Sequence, residues 1–147
     1  MLHETGQTIA PVILVADDEP TNRVLIQRLL EREGYHVLMA QNGSEAVERA
    51  REALPDLVLL DVMMPEMDGM DACRLIKETE ATRDIPVIFL SARDETEMKV
   101  SGLSLGANDY ISKPFEAEEL IARVSVAIRL KRERDSLRTR VEEARLR

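Results

Sequence analysis

Asp17 and Asp18 close the apolar run Val12-Ile13-Leu14-Val15-Ala16, and Asp61 closes a second, Leu57-Val58-Leu59-Leu60. Ser91 ends a third run, Val87-Ile88-Phe89-Leu90, and Lys113 follows a short fourth stretch that begins at Asp109. Three acids gathered in one place repel one another unless a cation sits among them. Mg2+ is a hard cation that takes oxygen ligands and usually keeps several waters. Asp18 and Asp61 are placed to supply carboxylates directly, with Asp17 holding a bound water and a loop carbonyl after Asp61 adding another oxygen. An aspartate carboxylate is also a competent nucleophile at phosphorus, giving an acyl phosphate. Such a transfer needs positioning and charge neutralisation more than acid-base chemistry. Lys113 offers a fixed cation and Ser91 a hydroxyl donor for the phosphoryl oxygens. His3 and His36 lie far from these positions in the pattern and read as ordinary surface residues.

Each of these residues has a plain structural explanation by itself. Asp17-Asp18 ahead of Pro20 suits a helix-capping loop. Asp61 before Val62-Met63-Met64-Pro65 suits the start of a turn. Ser91 at a strand end and Lys113 before Pro114 suit structural or solvated roles, and Tyr110 suits a strand residue packed on a sheet. The conjunction sets them apart: acids, hydroxyl and lysine fall at the carboxyl ends of the first, third, fourth and fifth strands.

Those strands have to be brought side by side. Short β-rich apolar runs read as strands buried on both faces of a parallel sheet, and open α/β sheets bind ligands at their carboxyl edge. Between the strands run helical patterns. Pro20 sits at a first helical turn, Val24, Leu25, Leu29 and Leu30 recur at helical spacing, and Gly34 stops that helix. His36 to Ala40 forms a second strand, and Ser44 caps a helix reaching about Ala53. A helix from about Asp68 to Glu78 follows the third strand, and a weaker one is expected over 95 to 105. Five βα units imply a doubly wound parallel sheet. Beyond it the last helix continues, with Ala127, Leu130, Leu137, Val141 and Ala144 at 3-4 spacing and Arg134 in one seam position, a candidate short coiled coil. This divides the chain into an N-terminal tail over 1–10, a domain over 11–128 and a helical linker over 129–147.

Composition narrows the partners. The 147 residues carry 20 Lys/Arg and 28 Asp/Glu, a net charge of −8. Residues 129–147 hold eight basic and four acidic side chains, or +4, which leaves −12 for residues 1–128. An acidic body argues against direct nucleic-acid binding. A single cysteine, Cys73, excludes an intrachain disulfide. No run has membrane-spanning length and residues 1–11 lack a signal-peptide pattern, so a cytoplasmic protein is expected.

Over residues 11 to 128 the sequence resembles the receiver domain of bacterial two-component response regulators. The resemblance rests on Val12–Ala16 with Asp17-Asp18-Glu19, on Leu57–Leu60 with Asp61 and the Met64-Pro65 to Asp68-Gly69 loop, on Ser91-Ala92, on Gly102 to Tyr110, and on Lys113-Pro114-Phe115. It implies a flavodoxin-like five-strand sheet of order 2-1-3-4-5, of which a chemotaxis receiver is a standard example. It implies that Asp61 accepts phosphate from a histidine kinase or phosphotransfer protein. Asp17, Asp18, Asp61 and the Met63 carbonyl would hold Mg2+, Ser91 and Tyr110 would act as a switch pair, and the Lys113-Pro114 bond would be cis. A homodimer is expected through the fourth helix, fifth strand and fifth helix together with the C-terminal helix. No output motif follows residue 130, so either an output domain is missing or the chain is a single-domain regulator. The competing functions are a phosphate-independent dimerisation module and an aspartyl-phosphate hydrolase. The hydrolase is disfavoured because the first strand ends in adjacent acids and residue 63 is Met. A nucleotide or flavin site is weaker still, since no Gly-rich loop follows the first strand.

Overall fold

The computed structural model describes residues 9–92 and 106–146. Five strands, β1 (Val12–Ala16), β2 (His36–Ala40), β3 (Leu57–Asp61), β4 (Val87–Ala92) and β5 (Asp109–Lys113), form one sheet in the order β2-β1-β3-β4-β5. All four pairings are parallel. Three helices, α1 (Pro20–Arg32), α2 (Gly43–Ala53) and α3 (Gly69–Glu78), and a long C-terminal helix, Ala117–Arg145, cover it. The helix expected over 95 to 105, and His3, lie outside the described residues.

Alternation along the strands builds two cores. Ile13 and Val15 of β1, with Leu57 and Leu59 of β3, face Ile26 and Leu30 of α1 and Leu120, Val124 and Ile128 of the C-terminal helix. Leu14, Ala16, Val58 and Leu60 point the other way, onto Ala46, Val47 and Ala50 of α2 and Ala72, Cys73 and Ile76 of α3. With both faces covered, β1 and β3 read as continuous apolar runs. Burial pushes the Cys73 thiol up to about 11, which leaves it an inert packing residue.

Three sequence expectations change at this level. Helix α1 buries Ile26 and Leu30, whereas Val24 and Leu25 are exposed; the apolar cluster on α1 is wide enough to suit either rotation, and the sheet selects the Ile26–Leu30 pair. Helix α2 is capped by Asn42, whose Oδ1 accepts from the Glu45 N–H at 2.8 Å, and Ser44 lies inside the helix. The start is fixed two residues earlier because Gly43 donates to the Met67 carbonyl at 2.9 Å, and a Cβ there would overlap that same oxygen. Finally, the linker stripe read from spacing keeps Leu130, Leu137 and Val141 exposed but loses two positions to the body. Ala127 packs against the α1-side core, and Arg134 donates to the Asp84 carbonyl.

The C-terminal helix outruns the sheet but stays fastened to it. Arg123 makes a forked bond to Asp109 of β5 at 2.9 and 2.7 Å. Lys131 approaches Asp56 at 3.6 Å, Arg132 donates to the Ile9 carbonyl at 2.9 Å, and Arg138 pairs with Asp84 at 2.6 Å. Positions 127, 131, 134 and 138 form one helical face, and that face lies on the body.

Candidate functional site

Parallel pairing delivers the strand ends to one edge. Ala16 is opposite Leu60, Asp61 is opposite Leu90, and Ala92 is opposite Lys113. Asp17 and Asp18 therefore emerge beside Asp61. Carboxylate oxygens of Asp17, Asp18 and Asp61 all lie within 4.8 Å of one another. His36 is exposed at the first residue of β2, the opposite end of the sheet from these acids.

Lys113 ties the group together. Its ammonium contacts Asp17 Oδ2 at 3.1 Å and Asp61 Oδ2 at 3.0 Å. The second oxygen of Asp17 accepts from the Glu19 N–H at 2.9 Å, and that of Asp61 accepts from the Met63 N–H at 3.3 Å. Asp17 is fully buried and Asp61 is 6% exposed, whereas Asp18 is open to solvent. Burial pushes the Asp61 carboxyl from 3.8 up to about 6, against the pull of Lys113, and the charge of Asp17 adds to the rise. Burial also works against the Lys113 charge, but its bond to Asp61 and the two carboxylate charges outweigh that and hold the ammonium above its usual range.

The remaining predicted residues take distinct places. Ser91 is buried, and its Oγ has no hydrogen-bond partner among the described residues. A hydroxyl is both donor and acceptor, and at the end of β4 this one can donate to a group that enters the site. Tyr110 pairs with Phe89 across β4 and β5 and packs, partly buried, on the α2–α3 core. The Lys113–Pro114 peptide bond is cis. Met63 is exposed, two residues past the end of β3.

Two supporting residues were not legible from the sequence. Arg23 donates to the Asp17 carbonyl at 2.7 Å, pinning the acidic loop to the first turn of α1; its only signal is its place four residues after Glu19, where a helix turns back on its own start. Gly69 sits against the backbone of Asp61, and a Cβ there would overlap the Asp61 carbonyl oxygen. The Gly69 N–H also donates to the Val62 carbonyl at 2.9 Å. Gly69→Ala is expected to displace the strand end and cost about 1–3 kcal/mol, measured as a lower urea midpoint; an unchanged midpoint would show that the loop yields freely.

The donor set suits a hard cation. Three carboxylates supply only oxygen, one of them is solvent-facing, and among the described residues the one ammonium that contacts them leaves the cluster net negative. A doubly wound sheet with an acidic pocket and a lysine at its carboxyl edge defines the class of protein. The chain belongs to the response regulator receiver domain family, whose profile matches residues 13–125.

Among curated relatives, the transcriptional regulatory protein ResD of Bacillus subtilis is 46% identical over 123 residues, covering 84% of this chain and 50% of ResD. The alkaline phosphatase synthesis transcriptional regulatory protein PhoP of the same organism is 44% identical over 117 residues, 80% of this chain and 48% of PhoP. The chain thus spans about half the length of the curated relatives it matches. Among solved structures, the receiver domain of the sensor histidine kinase PA1611 from Pseudomonas aeruginosa PAO1 is 33% identical with a TM-score of 0.76, covering 82% of this chain and 98% of that one. That structure has a magnesium ion coordinated in its active site cleft. No helix among the described residues is long and apolar enough to cross a membrane.

Proposed function

We propose that this chain is a phosphorylation-activated signalling switch. A receiver domain over 11–128 takes a phosphoryl group on Asp61 from a histidine kinase or phosphotransfer protein, and a helical linker over 129–147 passes the change to an output in the cytoplasm. The observation that carries this reading is the buried Asp61 carboxylate, flanked by two acids and held at 3.0 Å by Lys113. In the transfer, an Asp61 oxygen forms a bond to phosphorus while the phosphorus–nitrogen bond of the donor breaks, its electron pair staying on the leaving imidazole. Lys113 faces the charge that develops on the phosphoryl oxygens, and the buried Ser91 hydroxyl supplies them with a donor. Asp17, Asp18, Asp61 and the Met63 carbonyl would hold Mg2+, which offsets the charge shared by carboxylates and phosphoryl group. Catalysis is confined to the chain's own phosphorylation and dephosphorylation.

Asp18 is the exposed acid of the three, so Asp18→Ala is expected to weaken Mg2+ binding and slow labelling by about tenfold or more while the fold persists. Asp135→Ala, a surface acid on the linker, serves as control. Equal labelling of both variants, or undiminished labelling in excess chelator, would remove the metal from the account.

Phosphate drawing the Ser91 hydroxyl inward would vacate space into which the Tyr110 ring turns. That coupling tests the switch itself. Ser91→Ala is expected to accept phosphate from acetyl phosphate yet lose the change in amide exchange that the unsubstituted chain displays on β5 and the C-terminal helix. The full response in Ser91→Ala would refute the coupling. The active form is a homodimer, formed through the surface of β5 and the C-terminal helix together with the linker part of that helix, setting the spacing of two attached output domains.

A further inference from the structure

The linker helix carries two faces. One, through Ala127, Lys131, Arg134 and Arg138, is fastened to the body. About a quarter-turn away lie Leu130, Leu137 and Val141, which are 55%, 58% and 56% exposed. Three large apolar side chains in one uncovered stripe form a seam for another helix. Spacing alone sets Arg134 in that seam, where a symmetry mate would meet it as a like charge. In the folded chain Arg134 is turned onto the carbonyl of Asp84, in the loop between α3 and β4, and Arg138 is held by the Asp84 carboxylate at 2.6 Å.

Asp84 is itself presented by its neighbours. The Lys77 ammonium, on α3, takes the carbonyls of Arg83 and Ile85 at 3.2 and 2.7 Å, fixing the backbone on both sides of residue 84. Arg138 first, and then Arg134 and Arg83 by their charge, hold the Asp84 carboxyl below its usual range. In a parallel two-helix pairing, a residue at the position of Glu133 meets the partner residue five places further along, which is Arg138. Glu133 is exposed, and Asp84 engages Arg138 through one nitrogen of its guanidinium. The pairing thus gains a complementary charge on its flank and loses a repulsive one from its centre.

We propose that the exposed stripe of the linker helix is a docking surface for the same helix of a second copy of this chain in parallel, and that Asp84 determines this pairing by withdrawing Arg134 from the seam and setting Arg138 for Glu133 of the second copy. The proposal rests on the dimeric reading above and adds to it the residue on which dimerisation turns. A seam of three large residues per chain is short for a stable interface, so the pairing is concentration-dependent.

Sedimentation of the full chain over a range of concentrations tests it, with amide exchange of residues 130–138 as a second readout. Leu137→Glu charges the seam and is expected to abolish pairing. Asp84→Lys repels both arginines and is expected to weaken pairing by about tenfold or more and to speed exchange over 130–138. Adding Arg134→Leu to Asp84→Lys removes the seam charge and is expected to restore pairing. If the unsubstituted chain and Leu137→Glu sediment alike, helix pairing itself is refuted. If the unsubstituted chain pairs and Asp84→Lys pairs equally well with unchanged exchange, the role of Asp84 is refuted while the pairing stands.

Discussion

Replacing Asp61 by Asn is expected to make the domain more stable in metal-free buffer at pH 7. Burial raises the Asp61 carboxyl from 3.8 to about 6, so its ionised form at pH 7 is held in the fold at a cost. Roughly two pKa units at 1.36 kcal/mol each set an upper limit of about 3 kcal/mol, and the partner lost by Lys113 lowers the expected gain to about 1–2 kcal/mol. The sign follows from proton counting. Between about pH 4 and 6 the native chain binds a proton that the unfolded chain has released. Stability therefore falls as pH rises through that window and levels off above it, whereas the Asn variant lacks this component. Urea denaturation of both proteins at pH 4 and pH 7 checks it, because the difference between them cancels the titrating groups that do not interact with residue 61. Saturating Mg2+ should then favour the unsubstituted chain and narrow the gap. Equal stability at pH 7 without metal would show that Asp61 is not buried as a charge.

Removing the cation has the opposite effect. Lys113→Met leaves the fully buried Asp17 and the nearly buried Asp61 facing each other without the ammonium that bridges their carboxylates. Breaking a buried pair costs several kcal/mol, and the 24% exposure of the Lys113 side chain discounts this to roughly 2–4 kcal/mol at pH 8. Without the ammonium the Asp61 carboxyl rises further, so the penalty is largest above that value and fades as pH falls and Asp61 takes up its proton. Denaturation at pH 5 and pH 8 should reveal a loss concentrated at the higher pH. Lys113→Met combined with Asp61→Asn should lose less than Lys113→Met alone, since one of the two stranded charges is gone. A loss equal at both pH values, or additive in the double variant, would mean that Lys113 contributes packing and not charge.

The acids of the site were legible in the sequence because a parallel sheet buried on both faces leaves its side chains a single open edge. An acid that ends a continuous apolar run has nowhere else to go. Strand limits followed from the same runs, whereas the sheet order came only from the resemblance to receiver domains. What escaped notice depends on contacts between elements distant in sequence. Asn42 and Ser44 are both good helix caps, and the choice between them is made by Gly43 pressing on the Met67 carbonyl. Val24 and Leu25 match helical spacing as well as Ile26 does, and only the sheet decides which of them is buried. Arg134 occupies a seam position by counting, yet a backbone carbonyl fifty residues earlier, that of Asp84, turns it aside. Arg23 and Gly69 support Asp17 and Asp61 through backbone atoms, which leave no trace in residue type.

The central claim, that Asp61 is the phosphoacceptor, is tested most directly by intact-mass measurement after incubation with acetyl phosphate and Mg2+. The account predicts one phosphoryl adduct on the unsubstituted chain, its loss in excess chelator, and none on a folded Asp61→Asn protein. The same adduct on Asp61→Asn, or none on the unsubstituted chain with Mg2+ bound, would contradict it.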